Sequence, residues 1–224
     1  MSFYHFFKLR FNTEEQKGKA ILIWGGATAT GALAIQVAKI LGLEVITVAS
    51  KKHEANLKTL GASAVFDYHD SNVVEQIKKY GVDRIVYGLD TIASETSFNG
   101  TYDALSDNKP STIDNLFFLK KSAINNVKPT DNVTFAEGTT AKGLAYFVLG
   151  EDSTSAKGTI VFKSSASIKK DHLEFLKEIR KLIYNKQIKH IPITVLPNGL
   201  ESVEEGLSLL RNDKVSFNKL TIAL

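Results

Sequence analysis

Cysteine is absent from the 224 residues, which excludes disulfides, cysteine-ligated zinc, iron–sulfur clusters and a thiol nucleophile. Its absence suits a reducing compartment. Arginine is nearly absent: of 28 cationic side chains four are Arg and the rest Lys, against 24 Asp and Glu, for a net charge of +4. A nucleic-acid reader leans on arginine for forked contacts to bases and gathers its charge on one face. These lysines are scattered, so no nucleic-acid partner is expected. No apolar run approaches the ~20 residues of a bilayer-spanning helix. The opening MSFYHFFKLRFNTEEQ alternates aromatic and charged residues and lacks the apolar stretch of a secretory signal. The expectation is a soluble cytoplasmic protein without a membrane partner. Five histidines, His5, His53, His69, His172 and His190, are dispersed without ligand spacing. Each reads as a surface residue, no metal is expected, and no acid or base catalyst is nominated. Hydrophobic residues make up 43% and charged residues 23%, an ordinary balance for a packed globular core.

The apolar pattern switches repeatedly between strand and helix periods. Residues 19–24 (KAILIW) form a short apolar run of the kind buried on both faces. A glycine-rich turn follows, and then Ala34, Val37, Ala38 and Leu41 recur on one helical face, closed by Gly42. Residues 44–49 read as a second strand, 52–60 as a helix and 64–67 as a third strand. A helix over 73–80, stopped by Gly81, leads to a fourth strand at 83–89. Strands alternating with helices through short turns predict a doubly wound, parallel α/β sheet. Beyond Asp90 the pattern predicts a helix near 95–105 and strands near 116–119 and 159–162. It then predicts an amphipathic helix over 168–185 with Leu173, Leu176, Ile179 and Ile183 on its apolar stripe. The chain ends in a strand (ITVL), a helix over 200–210 and a final strand (KLTIAL). This divides the chain into a lead-in over 1–17, a nucleotide-binding unit over 18–165 and a C-terminal segment over 166–224.

The chemistry is concentrated in Trp24-Gly25-Gly26-Ala27-Thr28-Ala29-Thr30-Gly31, between the first strand and the first helix. A dinucleotide site needs a tight turn, backbone close enough to touch pyrophosphate, and a helix N-terminus aimed at the charge. Gly26 is assigned the turn and Gly31 the close helix–strand packing. Thr28 stands where the middle glycine of G-x-G-x-x-G belongs, and its hydroxyl offers a phosphate a hydrogen bond. The acidic ribose reader expected ~20 residues later is missing; Val48-Ala49-Ser50-Lys51-Lys52 stands there instead. A carboxylate would repel a 2′-phosphate, whereas hydroxyl and ammonium groups welcome one, so NADP(H) is the expected cofactor. The half P-loop Gly26-x-x-x-x-Gly31 continues with Ala32 and Leu33 where Lys and Ser/Thr must be, which excludes a triphosphate grip.

On these residues the chain resembles the medium-chain dehydrogenase/reductase superfamily. The resemblance is to the zinc-free quinone-oxidoreductase and fungal enoyl-reductase branch, which carries GG-[AS]-T-A-[ST]-G in this loop. It runs from about Lys17 to the C-terminus and is most specific over residues 21–70. It implies a Rossmann cofactor domain and hydride transfer from NADPH to a conjugated carbonyl or alkene of a small-molecule substrate. It further implies that Gly26, Thr28, Ala29 and Gly31 line the pyrophosphate and that Ser50 with Lys51 or Lys52 holds the 2′-phosphate. Tyr68 would lie near the adenosine end, and Asp90-Thr91 on the ribose and nicotinamide side, unless Asp90 is simply a helix N-cap. Family members begin with a β-rich domain that walls the other side of the cleft. Most of that domain is expected to be lacking here, and residues 191–224 are those that would pack on it. Their apolar faces are therefore expected to be exposed or re-paired in a homo-oligomer. The alternative expectation is a non-catalytic NADP(H)-binding module.

Overall fold

The computed structural model describes residues 2–11, 14–116, 119–129, 132–135, 166–212 and 214–223. Six parallel strands form the main sheet: β1 (Ala20–Trp24), β2 (Glu44–Val48), β3 (Ala64–Phe66), β4 (Ile85–Asp90), β5 (Ser111–Asn115) and β6 (Val133–Phe135). Their spatial order is β3-β2-β1-β4-β5-β6. Chain order reverses between β1 and β4, the switch point at which doubly wound sheets bind ligands. Register aligns Phe66 with Val48, Val48 with Trp24, Trp24 with Asp90 and Asp90 with Asn115. The carboxyl ends of five strands therefore finish along one edge.

Four helices connect these strands: α1 (Ala29–Ile40), α2 (Glu54–Leu60), α3 (Val73–Gly81) and α4 (Glu95–Asp103). Strand residues alternate between two cores, as pleating dictates. Ile21, Ile23, Val45 and Leu89 meet α1 through Ala34, Ile35 and Ala38, and also meet Phe3, Phe7 and Leu9 of the lead-in. Leu22, Trp24, Ile46, Val48 and Ile113 face Ile77 of α3 and Phe98 and Tyr102 of α4. Burying a side chain of this size stabilises by roughly 1.5–3 kcal/mol. The lead-in is a single wide helical turn over Ser2–Phe6, closed by Phe7 N–H on Ser2 O at 2.9 Å.

The C-terminal part comprises α5 (Ala166–Tyr184), β7 (Ile193–Leu196), α6 (Ser202–Arg211) and β8 (Lys219–Ile222), with β7 and β8 paired in parallel. Gln36 of α1 fastens it to the sheet: its amide donates to Lys189 O at 2.8 Å and accepts from Lys189 N at 2.7 Å.

Several expectations are corrected. The fifth strand is Ser111–Asn115, five residues earlier than the apolar stretch at 116–119 suggested, and β6 had no sequence signal. The first helix stop matches, but α3 runs through Gly81 and its left-handed cap is Val82. The buried stripe of α5 passes through Phe175 and Ile179, while Leu173 and Ile183 are half exposed. The expected strand at 159–162 lies outside the described residues. Three of four β7 residues are exposed, as are Leu200, Leu207 and Leu210 around α6.

Candidate functional site

The β1–α1 turn begins at Gly25, whose φ of +88° is a left-handed conformation that side chains disfavour. A Cβ there would also stand 2.5 Å from Thr91 Oγ1 and 2.8 Å from Ile92. The turn therefore belongs to Gly25 rather than to Gly26, which must be small because it lies against Thr47, the residue whose hydroxyl donates to Ile23 O at 2.7 Å. Gly31 lets the first turn of α1 rest on the Gly25–Gly26 backbone: a Cβ would come within 2.9 Å of Gly26 Cα.

Thr28 is the N-cap of α1, its Oγ1 accepting from Gly31 N at 2.9 Å. The same oxygen lies 3.0 Å from Thr91 Oγ1, at the exit of β4. Thr91 Oγ1 is within 2.9 Å of Trp24 O and 3.0 Å of Gly25 O, both able to take its single proton. With that proton spent on a carbonyl, Thr28 is the donor of the threonine pair. The two hydroxyls clasp β1 to β4 at the switch point. The N–H groups that remain at the head of α1 are those of Ala29 and Thr30, both exposed, and the first N–H groups of a helix have no partner within it.

Asp90 ends β4 and is fully buried. Its Oδ1 accepts the N–H groups of Ile92 and Ala93, each at 2.9 Å, and its Oδ2 accepts from Ser97 Oγ at 2.7 Å. Burial pushes this carboxyl above its ordinary value, opposed by those donors. Asp90 is not a helix N-cap: Ser94 caps α4, in a reciprocal box with Ser97. Asp90 instead holds the β4–α4 turn, in which Ala93 has φ +57°.

At the ends of β2 and β3, Ser50 is half-buried, Lys51 and Lys52 are exposed, and Tyr68 is exposed and tilted against the His69 ring with centroids 4.1 Å apart. Ser50 makes no capping bond to the short helical turn Lys51–His53. Two residues that sequence reasoning missed shape this corner. His53, expected at the surface, is 8% exposed; its Nε2 lies 2.6 Å from Ser216 Oγ and its ring packs on Phe217. Burial, then the charge of Lys52, lowers its pKa. Asp67 Oδ2 accepts the Lys51 N–H at 2.9 Å, and its Oδ1 accepts the His69 N–H at 3.0 Å with His69 Nδ1 at 2.6 Å. The His69 N–H, helped by the Lys51 N–H and the His69 ring, holds this carboxyl below the usual carboxylate range. Neither the His53–Ser216 contact nor the Asp67–Lys51 contact has a local sequence signal, because each joins segments brought together only by the fold.

All nine anticipated residues thus lie along one sheet edge. Gly26, Thr28, Ala29 and Gly31 follow β1, Ser50, Lys51 and Lys52 follow β2, Tyr68 follows β3, and Asp90 closes β4. A dinucleotide fits this edge: Cβ-free backbone and unpaired helix N–H groups at the centre suit a pyrophosphate, and cations stand to one side. Among the described residues no group of His, Asp and Glu is arranged to hold a metal, and no helix is long and apolar enough to cross a membrane.

Comparison with known proteins agrees with this fold. The family described as zinc-binding dehydrogenase matches residues 29–108. An uncharacterised protein of Saccharomyces cerevisiae is 35% identical over 214 residues, covering 95% of this chain and 55% of its own length. A trans-enoyl reductase of Botryotinia fuckeliana is 31% identical over 211 residues, covering 93% of this chain and 53% of its own. The chain thus spans about half the length of these relatives. A solved quinone oxidoreductase from Pseudomonas syringae superposes with a TM-score of 0.65 at 16% identity, over 97% of this chain and 60% of that one. The chain is thus similar, over about half of their length, to dehydrogenases and reductases of the medium-chain superfamily, and shares the fold of their coenzyme domain.

Proposed function

We propose that this chain binds NADP(H) across the β1–β4 switch point and serves a zinc-independent reduction of a conjugated carbonyl or alkene. When bound, the reduced nicotinamide supplies the hydride. The observation that carries the reading is the β1–α1 turn. Its glycines admit a phosphate to the backbone, and the Thr28–Thr91 clasp holds the turn rigid before any ligand arrives. Preorganised donors cost no rearrangement when charge is bound.

In this reading the N–H groups of Ala29 and Thr30 meet the pyrophosphate, with Gly26 and Gly31 giving it room and Thr28 capping the helix behind it. Ser50, Lys51 and Lys52 take the 2′-phosphate, and Tyr68 covers the adenosine side. Asp90 works from below, aligning the β4–α4 turn through Ile92 and Ala93 rather than touching the coenzyme. Among the described residues no side chain is assigned the proton transfer that completes reduction.

With no proton-transfer residue assigned among the described residues, a second reading is a module that binds coenzyme without turning it over. Oxidation of NADPH in the presence of a panel of quinones, enals and enones separates the two. Turnover above the free-cofactor background supports the reductase, and saturable NADPH binding with no turnover supports the module.

A further inference from the structure

A dinucleotide site of this topology takes its acidic ribose reader from the end of the second strand, and this chain has none there. The fold supplies one from elsewhere. β3 lies beside β2 with Phe66 opposite Val48, and Ala49 N donates to Phe66 O at 3.0 Å. The residue after β3 therefore stands next to the residues after β2, and that residue is Asp67. Its carboxylate reaches across to the Lys51 N–H at 2.9 Å. Lys51 is the middle member of the three residues assigned to the 2′-phosphate.

We infer that Asp67 is a specificity-determining residue, a ribose-side carboxylate delivered by β3 instead of β2, which opens the pocket to NADH and restrains its preference for NADPH. The inference rests on the coenzyme reading above. Two features support it. The carboxylate is fixed rather than mobile, since both oxygens are engaged from the backbone and its side chain is only 18% exposed. It also stays acceptor-competent. Oδ2 receives one hydrogen bond among the described contacts, and a carboxylate oxygen has two lone-pair sites, so one remains for a ribose hydroxyl. Toward a 2′-phosphate the same oxygen is a like charge, set against the attraction of Lys51 and Lys52.

The competing role is purely local. In that role Asp67 only anchors the Ser50–Lys52 turn, and its loss loosens the pocket for both coenzymes alike. The two roles differ in sign for NADPH. Replacement by Asn keeps an oxygen for the Lys51 N–H and removes the charge. At a solvent-screened rim, one unit charge changes affinity by a single-digit factor, so Asp67→Asn should tighten NADPH about three- to eightfold while NADH tightens not at all.

The test is calorimetric titration of the full chain with NADPH and with NADH, at pH 7.5, for wild type, Asp67→Asn and Asp67→Ser. The serine variant carries the measurement should the asparagine variant fail to fold. Tighter NADPH with NADH unchanged or weaker, in either folded variant, supports the inference. Equal losses for both coenzymes, or no gain for NADPH, overturn it and leave Asp67 as an anchor. A wild-type chain that binds neither coenzyme overturns the coenzyme reading itself, and this inference with it.

Discussion

Replacing Gly31 by alanine tests whether the turn is built around backbone contact. Two effects oppose each other. Alanine favours a helix over glycine by up to about 1 kcal/mol, and Gly31 lies in the first turn of α1, where that gain is at its smallest. Against it, the new Cβ would stand 2.9 Å from both the Gly25 carbonyl carbon and Gly26 Cα. Those atoms are main chain, held by Thr91 and by the bonds from Gly25 N and Gly26 N to Val48 O at 2.9 and 3.1 Å, so they cannot swing aside as a side chain would. Overpacking of this kind costs about 1–3 kcal/mol. The expected net loss is about 1–2 kcal/mol, or about 2–8 °C in Tm for a protein of this size. NADPH should weaken at least about tenfold, because the seat of the pyrophosphate is pushed off its geometry. Gly42→Ala is the control: its φ of +86° makes alanine strained, but nothing lies within 4 Å. It should cost about 1–2 kcal/mol and leave NADPH binding alone. Thermal melts by circular dichroism and calorimetric titration read both quantities. A Gly31→Ala protein as stable as wild type with unchanged NADPH affinity would refute the argument.

Two further outcomes follow from charge. Lys51→Ala with Lys52→Ala should weaken NADPH by about 1.5–3 kcal/mol, the range for charge-assisted hydrogen bonds, and leave NADH nearly unchanged; equal losses for both would place the 2′-phosphate elsewhere. Asp114, on β5 and 4% exposed, has its carboxyl pushed up by burial to about 6 from an ordinary 3.8, against a hydrogen bond from the Ser2 side chain. A carboxyl raised in the folded state stabilises most when protonated, so this contribution is lost as pH rises from about 4 through 6. Asp114→Asn should flatten that slope and raise stability at pH 7.5 by up to about 2 kcal/mol; urea midpoints measured from pH 4 to 8 check it, and a variant retaining the wild-type slope contradicts it.

The sequence reports most clearly where one apolar period dominates. β1, β2 and α1 are legible because their buried faces are almost wholly Ala, Val, Ile and Leu. β5 is not, because Ser111, Asp114 and Asn115 are buried polar residues bonded to nearby backbone. Asn115, for example, exchanges bonds of 2.9 Å with Leu119 O and N, so the strand shows no hydrophobic alternation. The β1–α1 turn is legible as a turn, but not which glycine bends it, since that depends on Thr91 and Ile92 arriving from β4. The absence of an acidic residue just after β2 is legible in the chain itself. Its stand-in, Asp67, becomes visible only once β3 is known to lie beside β2.

The central claim is that the β1–α1 turn holds a nicotinamide coenzyme, and Trp24 reports on it directly. The indole is 7% exposed at the end of β1, against Gly100 of α4 and one residue before the turn. Its emission overlaps the absorbance of dihydronicotinamide, so NADPH bound at the switch point quenches it. The account predicts saturable quenching by NADPH, tighter than by NADH and weakened in Gly31→Ala. Indole fluorescence that neither coenzyme changes, at any concentration up to millimolar, would contradict it.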